Sequence, residues 1–392
     1  MSILRFVGEN DSLSCRSGDT LFEALSRHRV PPHSAVAFLD GDPVPLGHRI
    51  QSGTVYDVHV IEGYDYDAMR GLYGADGDGD GIYESRQLRM TPSSVSIDRE
   101  SCGPAELTAS VERRLLSTIT DHSLIEPDES LLLAYSGGID STALLLALEA
   151  IRDDLPAFDL TTVTLGDYWV DEDTERRTDV LDTHDIENHV IPPEQIARTY
   201  NLDRSVTEVV AGIHRRDDGD VLSIANEFNR RMFEQFAAER DIDKICVGDH
   251  TSDILAGMIS GLFEGSIRDV GNVPARSVGP LQYVYPAAYH SKRELYLYQY
   301  LRTGARTAAD GFDPWELNKP YRHFYYYLAD LVQSYCPGIL HWLTRYGGSG
   351  GPADTELRRC RNCGKRYPAP DSAADGRCST CERLDAFGYL DT

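Results

Sequence analysis

Apolar and polar positions alternate over residues 3–7 and again over 12–15, which predicts the two strands of an opening hairpin. Helical spacing starts at Thr20-Leu21-Phe22-Glu23-Ala24-Leu25, with Asp19 as the expected N-cap. Further strands are expected over 34–39, closed by the turn Asp40-Gly41-Asp42, and over 54–61. From 65 to 103 the pattern loses its period and becomes acidic and Gly-rich, the signature of a linker. Apolar runs then alternate with helical segments up to about residue 305. The expected strands are 131–135, 160–165, 188–191 and 244–247, and the expected helices follow Asp140 and cover 224–240 and 253–263. That alternation predicts an α/β domain with a parallel, Rossmann-like sheet. An aromatic-rich helical stretch over 311–346 and a Gly-rich linker at 347–352 lead into a Cys-rich end. The expected units are thus 1–64, 65–103, 104–310, 311–346 and 347–392.

No run of about 18 apolar residues occurs, so no membrane partner is expected. The first residues do not lead from a basic stretch into an apolar one, and the expected compartment is the cytoplasm. The chain carries 63 acidic and 38 basic residues, for a net charge of −25, and only four of the basic residues are lysines. Such a surface either repels nucleic acid or suits a halophile's cytoplasm, where the Debye length is about 3 Å at molar salt. Scarce lysine and abundant aspartate favour the halophilic reading, so net charge says little about RNA.

The run Ser136-Gly137-Gly138-Ile139-Asp140-Ser141 lies between a buried strand and a buried helix. Two glycines let backbone N–H groups approach a phosphate, and the helix N-terminus and two hydroxyls add donors. Asp140 repels a bare phosphate, so its expected task is to hold Mg²⁺. The run lacks the Gly-Lys-Ser/Thr ending with which a P-loop reaches a γ-phosphate. Cys360-x-x-Cys363 and Cys378-x-x-Cys381 supply four thiolates at the spacing of a closed tetrahedral zinc site. Arg358, Arg359, Arg361, Lys365 and Arg366 around the first pair either grip RNA phosphates or form a solvated face. The aromatic run 321–327 is expected to pack rather than to stack on bases. Asp76-Gly77-Asp78-Gly79-Asp80 imitates a calcium loop, but Gln87 stands where the closing Glu belongs.

The 136–141 run resembles that of the PP-loop ATP pyrophosphatases, which adenylylate a substrate and release pyrophosphate. The resemblance is greatest to the tRNA 2-thiouridine synthetases, over about residues 120–305 and the last thirty. It implies that Ser136, Gly137, Gly138, Ile139, Ser141, Thr164, Leu165, Gly166 and Gly248 bind ATP. It also implies that Asp140, His250, Asp253 and Arg268 are catalytic, with Asp140 and Asp253 on magnesium and His250 on the α-phosphate. Val247-Gly248-Asp249-His250-Thr251-Ser252-Asp253 carries part of that resemblance, as do Asn229-Arg230-Arg231 and Lys292-Arg293-Glu294. The first 64 residues resemble the β-grasp fold of ubiquitin-like sulfur carriers, without a free Gly-Gly end, and read as a docking module.

Departures matter as well. Ser223 and Asn226 stand where those thiolases pair cysteines before the Arg-Arg helix, and Ile139 replaces their usual lysine. An iron–sulfur cluster is therefore not expected, and the expected cofactors are ATP, Mg²⁺ and Zn²⁺. The expected function is ATP-dependent tRNA modification by 2-thiolation of uridine, with tRNA and a sulfur-carrier protein as partners. An amide-forming ligase of the asparagine synthetase type and a non-catalytic assembly protein are the alternatives.

Overall fold

A computed structural model describes residues 2–7, 12–28, 30–61, 103–166, 180–215, 221–263, 273–304, 320–336, 339–340, 343–344, 357–368 and 376–390. The acidic Gly-rich stretch, its calcium-like run and Arg268 lie outside the described residues.

The N-terminal unit contains β1 (Ser2–Phe6), β2 (Ser12–Cys15), α1 (Leu21–Arg27), β3 (Ala35–Leu39), β4 (Asp42–Val44) and β5 (Val55–Val60). They make a five-stranded sheet of order β2-β1-β5-β3-β4, in which β1 and β5 are parallel. The α1 cap is Thr20 rather than Asp19: its hydroxyl accepts from the Glu23 N–H while the Glu23 carboxylate accepts from the Thr20 N–H. That reciprocal pair satisfies two helix-end donors, which a single Asp does not. Leu4, Phe6, Leu21, Leu25, Tyr56 and Val58 fill the core between sheet and helix. The opposite face of the same sheet sends Val36 and Phe38 into the core of the central domain.

The central domain begins with α2 (Pro104–Asp121), followed by β6 (Glu129–Ala134), α3 (Ile139–Ala150), β7 (Phe158–Leu165) and β8 (Asn188–Ile191). It continues with α4 (Pro193–Tyr200), α5 (Val206–Arg215), α6 (Val221–Glu239), β9 (Lys244–Cys246) and α7 (Thr251–Phe263). β10 (Ala275–Val278), β11 (Leu281–Val284), α8 (Lys292–Thr303) and α9 (Pro320–Tyr335) follow. The sheet order is β10-β11-β9-β6-β7-β8, parallel throughout except for the edge strand β10. Every residue of α3 from Ser141 to Leu148 is buried, as a helix beneath a parallel sheet requires. The chain leaves β6 for β7 on one side, and β9 returns on the other. A cleft therefore opens at the carboxyl ends of β6 and β9, where ligands bind in such sheets.

The Cys-rich end forms β12 (Leu357–Arg359), β13 (Arg366–Pro368) and α10 (Ser379–Ala386). It packs onto the central domain: Leu384, Tyr389 and Leu390 share one core with Tyr200, Phe228 and Met232.

Candidate active site

The first loop of the cleft leaves β6 at Ala134 and enters α3 at Ile139. Gly137 has φ +72°, a left-handed conformation that side-chain-bearing residues avoid. The Ser136 and Ser141 hydroxyls lie 3.1 Å apart, and the Ser136 N–H donates to Ser141 Oγ at 3.2 Å. These bonds close the loop into a ring. Gly138, the N-cap of α3, has no side chain to satisfy the first amides of the helix. Those orphan donors are a ready site for an anion.

A second loop leaves β9 and enters α7. A Cβ on Gly248 would lie 3.1 Å from the Ser141 nitrogen, so the two loop backbones touch only because this residue is glycine. The contact brings His250 and Asp253 to Asp140. His250 Nε2 is 3.3 Å from Asp253 Oδ2 and 3.7 Å from Asp140 Oδ1. The Ser252 N–H donates to His250 Nδ1 at 3.1 Å, which places the ring proton on Nε2. His250 is therefore a donor here, and the carboxylates are the groups suited to a cation. Asp253 Oδ2 also accepts the His250 N–H at 3.1 Å, so the residue caps α7 as well as facing the cleft. Its Oδ1 accepts the Tyr326 hydroxyl at 2.7 Å.

Lys292, at the start of α8, donates to Asp140 Oδ2 at 2.5 Å. Burial raises the Asp253 carboxyl, but His250, Lys292 and the Tyr326 hydroxyl outweigh it and hold the carboxyl below its ordinary value. Asp249 goes the other way: burial, then the Asp253 and Asp140 carboxylates, push it up to about 8. Asp140 Oδ1 is buried without a hydrogen-bond partner. Surplus carboxylate charge and an orphaned buried oxygen fit a divalent cation. Ligand atoms of Asp140, His250 and Asp253 all lie within 4.8 Å of one another.

The cavity above these residues holds about 550 Å³. Ser136, Asp140, Ser141, Leu165, Gly166, Gly248 and Asp253 line one half. Ile139 is buried in the core. Thr164 is buried and donates to Asn188 Oδ1 at 3.1 Å, so its hydroxyl serves the sheet rather than the cavity. The other half is formed by Asn226, Asn229, Arg230 and Phe233 of α6, with Arg276, Tyr283 and Tyr285 from the sheet edge. The sequence assigns no site role to Lys292, Tyr326 or this second half, although Lys292, Asn229 and Arg230 fall in segments that carry the family resemblance. One signal was present: Lys292 is one of four lysines in a chain whose cations are otherwise arginines.

Behind the second half lies the cysteine group. Cys360, Cys363, Cys378 and Cys381 are buried, with their sulfurs within 4.8 Å of one another. The Cys378 N–H points at Cys360 Sγ at 3.3 Å and the Asn362 amide at Cys381 Sγ at 3.4 Å, as donors to thiolates do. Arg231 of α6 donates to the Cys363 carbonyl at 2.8 Å. Lys365 pairs with Glu227, whose carboxylate also holds Arg230 of the cavity wall at 2.7 Å.

A glycine- and serine-ringed loop at the sheet's switch point, aimed into an acidic cavity, defines an enzyme of the PP-loop ATP pyrophosphatase class. The chain belongs to the PP-loop domain family, whose model matches residues 107–305. It is 26% identical over 214 residues to a tRNA-cytidine(32) 2-sulfurtransferase of Marinobacter nauticus, covering 54% of this chain and 67% of that one. It is also 26% identical over 161 residues to a tRNA(Ile)-lysidine synthase of Persephonella marina, covering 41% and 33%. The chain thus spans from a third to about two thirds of the length of these relatives. The fold is shared with the U34-tRNA thiolase NcsA from Methanococcus maripaludis, solved with its [4Fe-4S] cluster. That match has a TM-score of 0.53 and 15% identity over 75% of this chain and 92% of that one.

One expectation is overturned. An iron–sulfur cluster is not expected from the sequence because Ser223 and Asn226 stand where the resembled thiolases pair cysteines, yet a thiolase of the same fold carries one. This chain also buries four cysteines together at its other end. A cluster needs only four convergent thiolates, and which cysteines converge is decided by the fold.

Proposed function

We propose that the chain uses ATP to adenylylate a carbonyl oxygen on a tRNA base, and that a sulfur nucleophile then displaces AMP to leave a thiocarbonyl. The observation that carries this is the division of one cavity into two halves. Ser136, Ser141, Asp140 and Asp253 line one half, with His250 and Lys292 against those carboxylates behind them, and an uncharged-amide and arginine wall lines the other half. The tRNA-sulfurtransferase relatives support tRNA as substrate. Uridine as the target nucleoside rests on the resemblance to the 2-thiouridine synthetases.

In this reading the loop amides and the Ser136 and Ser141 hydroxyls bind the departing pyrophosphate. Asp140 and Asp253 hold Mg²⁺, which neutralises phosphate charge when bound. Lys292 orients Asp140 through its hydrogen bond to Oδ2. His250 presents its Nε2–H to an α-phosphoryl oxygen, a donor fixed in place by the Ser252 N–H. The base carbonyl oxygen attacks the α-phosphorus, and the α–β bridging bond breaks. The sulfur enters at the oxidation level of sulfide, as a carrier protein's thiocarboxylate. AMP leaves with the former carbonyl oxygen, and water regenerates the carrier carboxylate, so no reductant is consumed. Asn226, which stands where the resembled thiolases pair cysteines, lines the acceptor half and offers amide hydrogen bonds to a base edge.

Mass spectrometry of tRNA nucleosides from a strain lacking this chain tests the reading. One thionucleoside should vanish and return with the wild-type gene but not with Asp140→Ala. An unchanged set of thionucleosides contradicts it, and ammonia-dependent AMP release with a small carboxylate would establish the ligase alternative instead.

A further inference from the structure

We infer that the N-terminal sheet domain is a working part of the nucleotide half of the site, with Asp330 as the positioning residue that connects them. The inference rests on the cavity being an ATP·Mg²⁺ site, as proposed above.

Asp330 lies on α9 and is fully buried. One carboxylate oxygen accepts the hydroxyl of Ser34, from the short 3₁₀ turn before β3, and the other accepts the hydroxyl of Ser252. Ser252 is the residue between His250 and Asp253 whose N–H fixes the His250 ring. One carboxylate thus ties a backbone turn of the N-terminal domain to the segment that presents the donor and the second carboxylate of the cleft. Hydrogen bonds to a buried charge are strong, and costly when left unmade.

Tyr326 precedes Asp330 by one helical turn and so points the same way. Its hydroxyl holds Asp253 Oδ1 at 2.7 Å. The neighbouring Tyr327 is buried in the N-terminal domain's own core, together with Phe324 and Leu331 at its edge. α9 is therefore gripped by the N-terminal domain on one side and holds two residues of α7 on the other. A shift of that domain moves both contacts at once.

A second path runs independently. Arg293 is buried, and its guanidinium donates to the Ala35 carbonyl and the Val44 carbonyl of the N-terminal sheet, each at 3.2 Å. The preceding residue, Lys292, holds Asp140. Strand carbonyls of the first domain thus anchor the start of α8, and the start of α8 anchors the metal-facing carboxylate of the loop. Both carboxylates and the histidine that bear on ATP, Asp140, Asp253 and His250, are reached from the N-terminal domain through at most two residues.

The test uses the full chain and calorimetric ATP binding as a function of Mg²⁺, each variant held well below its own unfolding temperature. Asp330→Ala should raise the half-saturating Mg²⁺ concentration about tenfold, the size of one charge-assisted bond. Ser34→Ala, distant from every phosphate contact, should raise it about threefold, and Asp330→Asn should recover part of the loss. Adding Ser34→Ala to Asp330→Ala should change nothing further, because both remove the same link. If Asp330→Ala does not fold, Ser34→Ala carries the test. Variants that unfold earlier but need no more Mg²⁺ would show that the contacts only glue two domains, and would overturn the inference. A wild-type chain that binds ATP but forms no AMP with tRNA leaves the inference standing and sinks the proposed function. A wild-type chain that binds no ATP sinks both.

Discussion

The two halves of the cavity are built on different principles, and each is backed by a different appended domain. The nucleotide half is made of two contiguous loops at strand ends, concentrates carboxylates, and leans through α9 and α8 on the N-terminal sheet. That sheet has an apolar core of its own. The half formed by α6 draws its residues from a helix face and a sheet edge, and its charges are matched in a chain of pairs from Arg230 through Glu227 to Lys365. Its backing, the cysteine module, adds only Tyr367, Leu384, Phe387, Tyr389 and Leu390 to the core beside its four cysteines, too little apolar volume to fold without a metal to bind. One appended domain carries an apolar core of its own, and the other gathers four buried cysteines against α6. Perturbations should therefore separate the two halves.

The largest separation should come from Asp140→Ala. Loss of a group that stabilises developing charge costs about 100-fold or more in rate. AMP formation should fall by at least that factor, while the metal content of the cysteine module, read by mass spectrometry, stays unchanged. Next is the metal itself. Cys360→Ser should lower bound metal and deprotect α6 and the module in hydrogen exchange, with α7 still protected. Metal analysis and visible absorption of the wild-type chain then tell a single ion from an iron–sulfur cluster. Glu227→Gln should do less. It strands Arg230 and the buried Lys365, but Arg230 and residue 227 are only half-buried, and a loss of about 1–2 kcal/mol in denaturant unfolding is expected. Acceptor KM should rise while ATP binding stays within twofold. Asn226→Ala should do least, raising acceptor KM a few-fold with no change in stability. If ATP binding falls as far in Glu227→Gln as in Asp140→Ala, the two halves are not separable and the comparison fails.

The same division explains what could be read from the sequence. The loop Ser136–Ser141 and the segment from Gly248 to Asp253 are contiguous, so their chemistry is visible in short runs. The parallel strands β6, β7, β8 and β9 were legible to within one or two residues because apolar and β-branched residues concentrate there between helical segments. What stayed hidden was assembled across the chain. Tyr326 looked like helix packing, since its neighbours do pack, and only the fold shows its hydroxyl on Asp253, 73 residues away. Lys292 reaches Asp140 across 152 residues, and Ser34 reaches Asp330 across 296. Periodicity reports which face of an element is buried and carries no information about which distant element covers it. The 347–352 run reads as a linker into the cysteine module and says nothing of where that module docks, which is in the core around α6. A glycine linker specifies freedom of the chain, whereas docking is decided by the surfaces on either side of it.

The claim on which everything else depends is that ATP is cut between its α- and β-phosphates. Its motive is the ring of Ser136, Gly137, Gly138 and Ser141 at the head of α3, which offers amides and hydroxyls to a leaving pyrophosphate. The measurement is chromatography of products from ATP labelled in the α-phosphate, incubated with the full chain, Mg²⁺ and total tRNA from the deletion strain. Labelled AMP, formed in step with pyrophosphate and lost in Asp140→Ala, is the result expected. Labelled ADP as the main product would mean that the γ-phosphate is the one transferred or hydrolysed, and would contradict the account at its root.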